Sequence, residues 1–144
     1  MGLNLITKVE YKAYVGITSP NEDAIIDSLI PKVSQLVKSY CRRTFIDYVN
    51  DPKVERFNGG DLFYLKEYPI LAVDSVEYST DYGQTYTSLT NYTDWVLDAS
   101  DDAIKPISAS TFQVLVNGYK VTYAGGYEIL PEDLKLAVFD LVTY

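Results

Sequence analysis

Histidine is absent from the 144 residues, and cysteine, methionine and tryptophan occur once each. Without histidine there is no Ser–His–Asp or Cys–His catalysis, and most zinc sites lose their usual ligands. A single cysteine, Cys41, allows no internal disulfide, and its helical setting reads as a buried thiol. No run of about 18 apolar residues occurs, so no membrane-spanning helix is expected. The opening MGLNLITKVEYK has no apolar core of a secretory signal, and Ile6 stands where a myristoylation motif on Gly2 needs Ser or Thr. GxxxxGK[ST] and GxGxxG patterns are missing, and the pairs Gly59–Gly60 and Gly125–Gly126 read as backbone punctuation. Basic charge is scarce: 12 Lys and Arg stand against 20 Asp and Glu, a formal charge of -8. That argues against gripping nucleic acid by counterion release.

What is present describes a folded chain. Hydrophobic residues make up 47% and charged residues 22%, a composition that builds a core and disfavours disorder. The length suits one domain able to bury a sizeable core. Tyrosine is the outlier, with 14 against 5 Phe. It suits surfaces that are half apolar and half wet, either strand faces and sheet rims or a contact surface for a protein or sugar partner.

The first region reads as helical. Thr7-Lys8-Val9-Glu10 is a capping box that opens a short helix to about Val15, with Gly16 as its stop. Ser19-Pro20-Asn21-Glu22 repeats the device with Pro at the first helical position. A helix from Pro20 to roughly Arg43 follows, with an apolar stripe of Ile25, Ile26, Leu29, Val33, Leu36, Val37, Tyr40 and Cys41 assigned to the core. Pro31 lies inside it, and an interior proline costs about 3 kcal/mol, so a bend near Asp27–Pro31 or a break is expected.

From about Val54 to Tyr123 the pattern turns to β. VDSVEYS alternates, with Val76 and Tyr78 on one pleat face and Glu77 on the other. A turn at Asp81–Gly83 predicts a hairpin, FNGGD a second turn, and Tyr68-Pro69-Ile70 a strand-edge breaker. NYTDWVLD reads as a short strand anchored by Trp95, and DASDDAIKP (98–106) as an acidic loop at a tip. TFQVLVNGYKVTYAGG predicts another strand pair turning at Asn117–Gly118. Gly125 and Gly126 then release the last strand. Pro131, at the first helical position, opens a closing helix with an apolar stripe of Leu134, Val138, Leu141 and Val142, widened by Ala137 and Phe139. The expected fold class is therefore α+β: N-terminal helices and a returning C-terminal helix packed together, with an antiparallel β insert projecting between them. The expected organisation is one domain over 1–144, with a helical part at 6–46 and 131–144 and a β insert over about 53–124.

Carboxylates are the remaining chemistry. Asp101–Asp102, Asp81 and Asp94 are candidates for a glycosidase acid and base, and a solvated loop explains them more simply. The DASDD stretch lacks the spacing of an EF-hand loop. Asn91-Tyr92-Thr93 matches a glycosylation triplet with nothing else pointing to a secreted chain. No catalytic residue, cofactor or metal is assigned, and function is expected in surfaces.

The order of parts resembles the head–tail connector family of tailed bacteriophages, also called adaptor or head-completion proteins. The marks are Asp23, Leu29, Ile30, Val33, Val37, Tyr40 and Arg42; then Tyr68, Pro69, Ile70, Val73, Ser75 and Val76. The closing set is Tyr123, Ala124, Gly125, Tyr127, Pro131, Asp133, Leu134, Lys135 and Ala137, with a doubled glycine before Tyr127 that lengthens the loop by one residue. The resemblance spans about residues 6–144. It implies a structural virion protein at the capsid vertex, assembled in the host cytoplasm, that forms a ring, usually twelve-fold, beneath the portal. Such a ring extends the DNA channel and docks the tail or stopper protein, while DNA passes an acidic lumen without sequence-specific binding. It further implies a monomer or weak oligomer in isolation. Phe139, Leu141, Tyr144, Tyr127, Tyr82 and Tyr86 are the protein-interface candidates, with Phe139 equally readable as core. A β-rich carbohydrate- or receptor-binding module using Trp95 and the tyrosines, or another tail-side component, is the alternative.

Overall fold

The computed structural model describes residues 2–144. The fold is α+β, with three α-helices and seven strands among the described residues, which fall into two compact units. One joins the segment ending at Asp47 to Tyr127–Tyr144, and the other is Tyr48–Gly126.

The first unit is helical. Helix α1 (Lys8–Val15) opens on the expected capping box: the Glu10 N–H donates to Thr7 Oγ1 at 3.1 Å, and the Thr7 N–H donates back to Glu10 Oε2 at 3.0 Å. Gly16, in the left-handed region at φ 77, ends it. The second device forms differently. Ser19 Oγ accepts from the Asn21 N–H, and Pro20–Glu22 winds as a single 3-10 turn in which Glu22 returns no cap bond. Lysine does the fastening: Lys12 Nζ donates to the Ser19 carbonyl at 2.9 Å and to Asp23 Oδ1 at 2.7 Å. That bond from Lys12, aided by its charge, holds the Asp23 carboxyl below its ordinary range.

Helix α2 (Asp23–Cys41) runs unbroken through Pro31. Proline removes the donor to the Asp27 carbonyl, and Asp27 lies on an exposed turn where water can serve it. The expected stripe is only half right. Ile26, Ile30, Ser34, Val37 and Lys38 are buried, whereas Ile25, Leu36, Tyr40 and Cys41 are exposed. Successive helical residues point about 100° apart, so burying Ile26 and Val37 turns Ile25 and Leu36 outward. Cys41 is accordingly a surface thiol, not a buried one.

Helix α3 (Glu132–Thr143) begins one residue later than expected, with extended Pro131 as its N-cap position. Val138, Phe139 and Val142 from α3 meet Ile26, Ile30 and Val37 of α2 and Tyr11 of α1 in one core cluster. The N-terminal strap completes it. Leu5 and Ile6 are buried, the Leu5 N–H donates to Ser34 Oγ, and Leu3 is held at both backbone groups. Its N–H donates to Asp47 Oδ1 at 2.8 Å, and its carbonyl accepts from Lys38 Nζ at 2.6 Å. Lys38 also pairs with Asp47 at 2.6 Å, which explains a lysine only 5% exposed on the packed face of a helix.

The second unit holds two antiparallel sheets. The larger has the order β1-β7-β3-β4, from β1 (Lys53–Phe57), β7 (Tyr119–Gly125), β3 (Ile70–Tyr78) and β4 (Thr87–Ser88). The smaller has the order β2-β6-β5, from β2 (Phe63–Tyr64), β6 (Ala103–Pro106) and β5 (Trp95–Asp98). Phe63 stacks between Phe57 at 4.5 Å and Phe112 at 4.2 Å, and Trp95, Val76, Val121 and Tyr123 fill the same cluster. The expected β3–β4 hairpin forms. Gly125 admits no side chain, since a Cβ there would lie 2.1 Å from the Glu67 carbonyl oxygen.

Two β expectations fail. Asn117–Gly118 does not turn a strand pair, because residues 113–116 form no ladder and Val114 and Val116 are exposed. The Gly118 N–H instead closes a turn on the Leu115 carbonyl, with only Asn117 at positive φ, where a type I′ turn needs two such residues. The stretch 98–106 is also more than a loop: its second half is β6, whose Ala103 and Ile104 are fully buried.

Candidate functional site: an assembly surface

Of the carboxylates weighed for catalysis, Asp81, Asp94 and Asp101 are each engaged in holding a loop, and Asp102 takes part through its carbonyl, which accepts from the Leu65 N–H. Asp81 accepts from Ser79 Oγ at 2.6 Å, from the Thr85 N–H at 2.9 Å and from Thr85 Oγ1 at 2.6 Å. Those bonds, that from Ser79 first, pull its pKa down to about 2. Asp98 and Asp101 both pair with Lys105, at 2.6 and 2.8 Å, and the bond from Lys105 drives Asp98 well below the carboxylate range. Asp94 accepts from the Thr90 N–H. Buried Glu67 pairs with Lys53, and the Tyr123 hydroxyl donates to Glu55. Burial, then that bond, pushes the Tyr123 phenol far above its ordinary range. Among the described residues no group of His, Cys, Asp and Glu is arranged to hold a metal ion, and no helix is long and apolar enough to cross a membrane.

The surface carries the distinctive feature. On α2, Ile25, Leu36 and Tyr40 are 61, 58 and 88% exposed, and half-buried Leu29 lies between them. Steps of four, seven and four residues put all four on one flank of the helix, beside its buried face. On α3, Ala137, Leu141 and Tyr144 recur at steps of four and three on a second exposed flank. The α2 flank was assigned to the core from sequence alone. The signal that could have separated it was the excess of apolar positions: α2 has more than one buried stripe can use.

The six interface candidates have different surroundings. Phe139 is a core ring, 9% exposed and stacked on Tyr14 at 4.7 Å, with Tyr11 at 6.3 Å. Leu141 of the same helix and Tyr144, at its C-cap, are exposed. Tyr127 is half-buried against the helical core beneath the Arg43 guanidinium. Tyr82 and Tyr86 belong to the β3–β4 hairpin. Tyr82 stands 63% exposed at its tip. Tyr86 donates its hydroxyl to the Asn117 carbonyl, and Lys120 Nζ sits 4.6 Å over its ring. Charge is uneven as well: eleven of the twenty acidic residues, but only five of the twelve basic ones, lie in Tyr48–Gly126.

The helical unit leaves apolar flanks open, so the candidate site is a contact surface. The family model for the head completion protein matches residues 4–144, and the chain belongs to that family, whose members join head to tail in phage-like particles. Among solved structures, the chain is similar to a protein in the neck of an empty GTA particle computed with C6 symmetry. The TM-score is 0.61 and the identity 18%, covering 96% of this chain and 75% of that one. A protein in the neck of a native GTA particle computed with C12 symmetry gives 0.58 and 19%, covering 99% and 81%. At these identities the likeness is one of fold. No curated protein matches the chain.

Proposed function

We propose that copies of this chain form a closed ring beneath the portal, joining capsid to tail and extending the DNA channel, without catalysing a reaction. The observation that carries this reading is the pair of unpartnered apolar flanks, Ile25, Leu36 and Tyr40 on α2 and Leu141 and Tyr144 on α3. A ring closes through a heterologous contact, in which one patch of each subunit meets a different patch of the next. Two separate apolar strips on one helical unit are suited to that, and large exposed apolar surface is uncommon on chains that stay alone. The shared fold with proteins of six- and twelve-fold particle necks supports the same symmetry class. The acidic excess fits a lumen that does not hold passing DNA. In this reading the two units work as one connector domain, assembled in the host cytoplasm and resident at the head–tail junction.

The sugar-binding alternative loses its main support, because Trp95 is 3% exposed and offers no ring face to a saccharide. Electron microscopy of the purified chain mixed with portal protein from the same source tests the proposal. A ring stacked coaxially on the portal is expected. No association at micromolar concentration and moderate salt would refute it and favour another tail-side component.

A further inference from the structure

We propose that the larger sheet continues from one copy into the next: β1 of one copy runs parallel beside the open half of β3 in its neighbour, with Arg56 of the one facing Asp74 of the other. This rests on the ring reading above and names a contact that the helical flanks do not supply.

Both edges are open. The order β1-β7-β3-β4 leaves β1 with a partner on one side only. On the far side, β4 pairs with Glu77 and Tyr78, and the Leu89 N–H reaches the Val76 carbonyl, so cover stops there. Among the described residues no backbone hydrogen bond reaches the outer side of β1, or the side of Leu71–Asp74 away from β7. Unpaired edges attract further strands, and a chain that assembles head to tail can match one against the other. The open stretch from Ile70 to Asp74 is as long as the five-residue β1.

The direction follows from symmetry. Both β1 and β3 are antiparallel to β7, so they run parallel to each other. In a ring of six or twelve, each copy is turned from the last by only a sixth or a twelfth of a circle. A turn of that size never reverses a strand, so the neighbour's β1 meets β3 in the parallel rather than the antiparallel sense.

The faces set the register. On β1, Glu55 bonds Tyr123 and Phe57 stacks on Phe63 toward the core, which leaves Val54 and Arg56 on the outer face, both exposed. On β3, Ile70, Val73 and Val76 pack toward the core, with bulges between them, and Leu71, Ala72 and Asp74 are exposed. A parallel pairing that keeps outer residues together sets Val54 beside Ala72 and Arg56 beside Asp74. Neither Arg56 nor Asp74 makes an ion pair or side-chain hydrogen bond among the described residues, so each charge is available to the other.

Cysteine cross-linking tests this in a Cys41→Ser background, with Arg56→Cys and Asp74→Cys combined and the protein oxidised on the portal. Within one chain β7 separates the two positions by two strand spacings, about 10 Å, beyond the roughly 7 Å reach of a disulfide. Any bond is then between copies. A reducible ladder of dimer, trimer and higher species is expected, while either single-cysteine variant stops at dimer. In parallel, Arg56→Asp should weaken assembly at least tenfold, and adding Asp74→Arg should restore it. Rings by microscopy with no covalent species above dimer, and no rescue by the charge swap, would overturn the edge contact and leave the ring standing. If the Cys41→Ser chain itself forms no ring, the ring reading fails and this contact with it.

Discussion

Leu36 and Val37 are neighbours in sequence, and the structure assigns them opposite fates, which makes Leu36→Asp and Val37→Asp a sharp pair. Val37 is 8% exposed in the helical core. Replacing it forfeits roughly 1.5–3 kcal/mol of burial and adds the cost of an unpaired carboxylate in apolar surroundings, several kcal/mol more. The sum is above about 4 kcal/mol, a large share of the 5–15 kcal/mol that holds a domain together. Leu36 is 58% exposed, so the same carboxylate stays in water. Its cost is mainly helix propensity, roughly 0.5 kcal/mol, or about 2 °C in the melting midpoint of a chain this size. Assembly reverses the ranking. A carboxylate on the α2 flank must be desolvated at every subunit contact, and the leucine burial is lost there too. A loss of about 1.4 kcal/mol per contact is already tenfold in affinity. Thermal unfolding by circular dichroism and ring formation on the portal are the two assays. Leu36→Asp is expected to melt near wild type and fail to form rings, whereas Val37→Asp loses its helical fold. A Leu36→Asp midpoint as low as that of Val37→Asp would refute the assignment of the α2 face, and normal rings would refute its role as a contact.

Two further predictions concern charge. Asp47→Leu strands buried Lys38 without its partner and frees the Leu3 strap, so it should cost about 3–5 kcal/mol by chemical denaturation, with much of that recovered in Lys38→Met/Asp47→Leu; a cost under about 1 kcal/mol would refute the strap clamp. Asp81, with a pKa of about 2 against an ordinary 3.8, stabilises its loop fully above the ordinary value and loses that contribution as pH falls toward 2. Carboxyl NMR should place its titration near 2, and a midpoint near 3.8 would show that the bonds from Ser79 and Thr85 are not made in solution.

Much of the local structure was legible in the residues. Thr7 and Glu10 specify α1 because a capping box needs only neighbours, and the Asp81 turn specifies its hairpin for the same reason. The split between helical and β regions follows from periodicity, which each segment carries within itself. Of the candidate surface, the sequence supplied Leu141 and Tyr144 as interface candidates, with Leu141 also in the apolar stripe of its helix, but held Leu36 and Tyr40 for the core. Periodicity reports that a helix is apolar on one side, not how wide a strip its neighbours will cover. Only the packing of α1, α3 and the Leu5–Ile6 strap onto α2 decided which apolar residues were left in water. Phe139 was undecidable for the same reason, since its burial depends on Tyr14 from a helix more than a hundred residues away. The fate of residues 113–116 was likewise tertiary. Their alternating pattern suits a strand, but β7 already has β1 and β3 on its two sides, and a strand has only two edges.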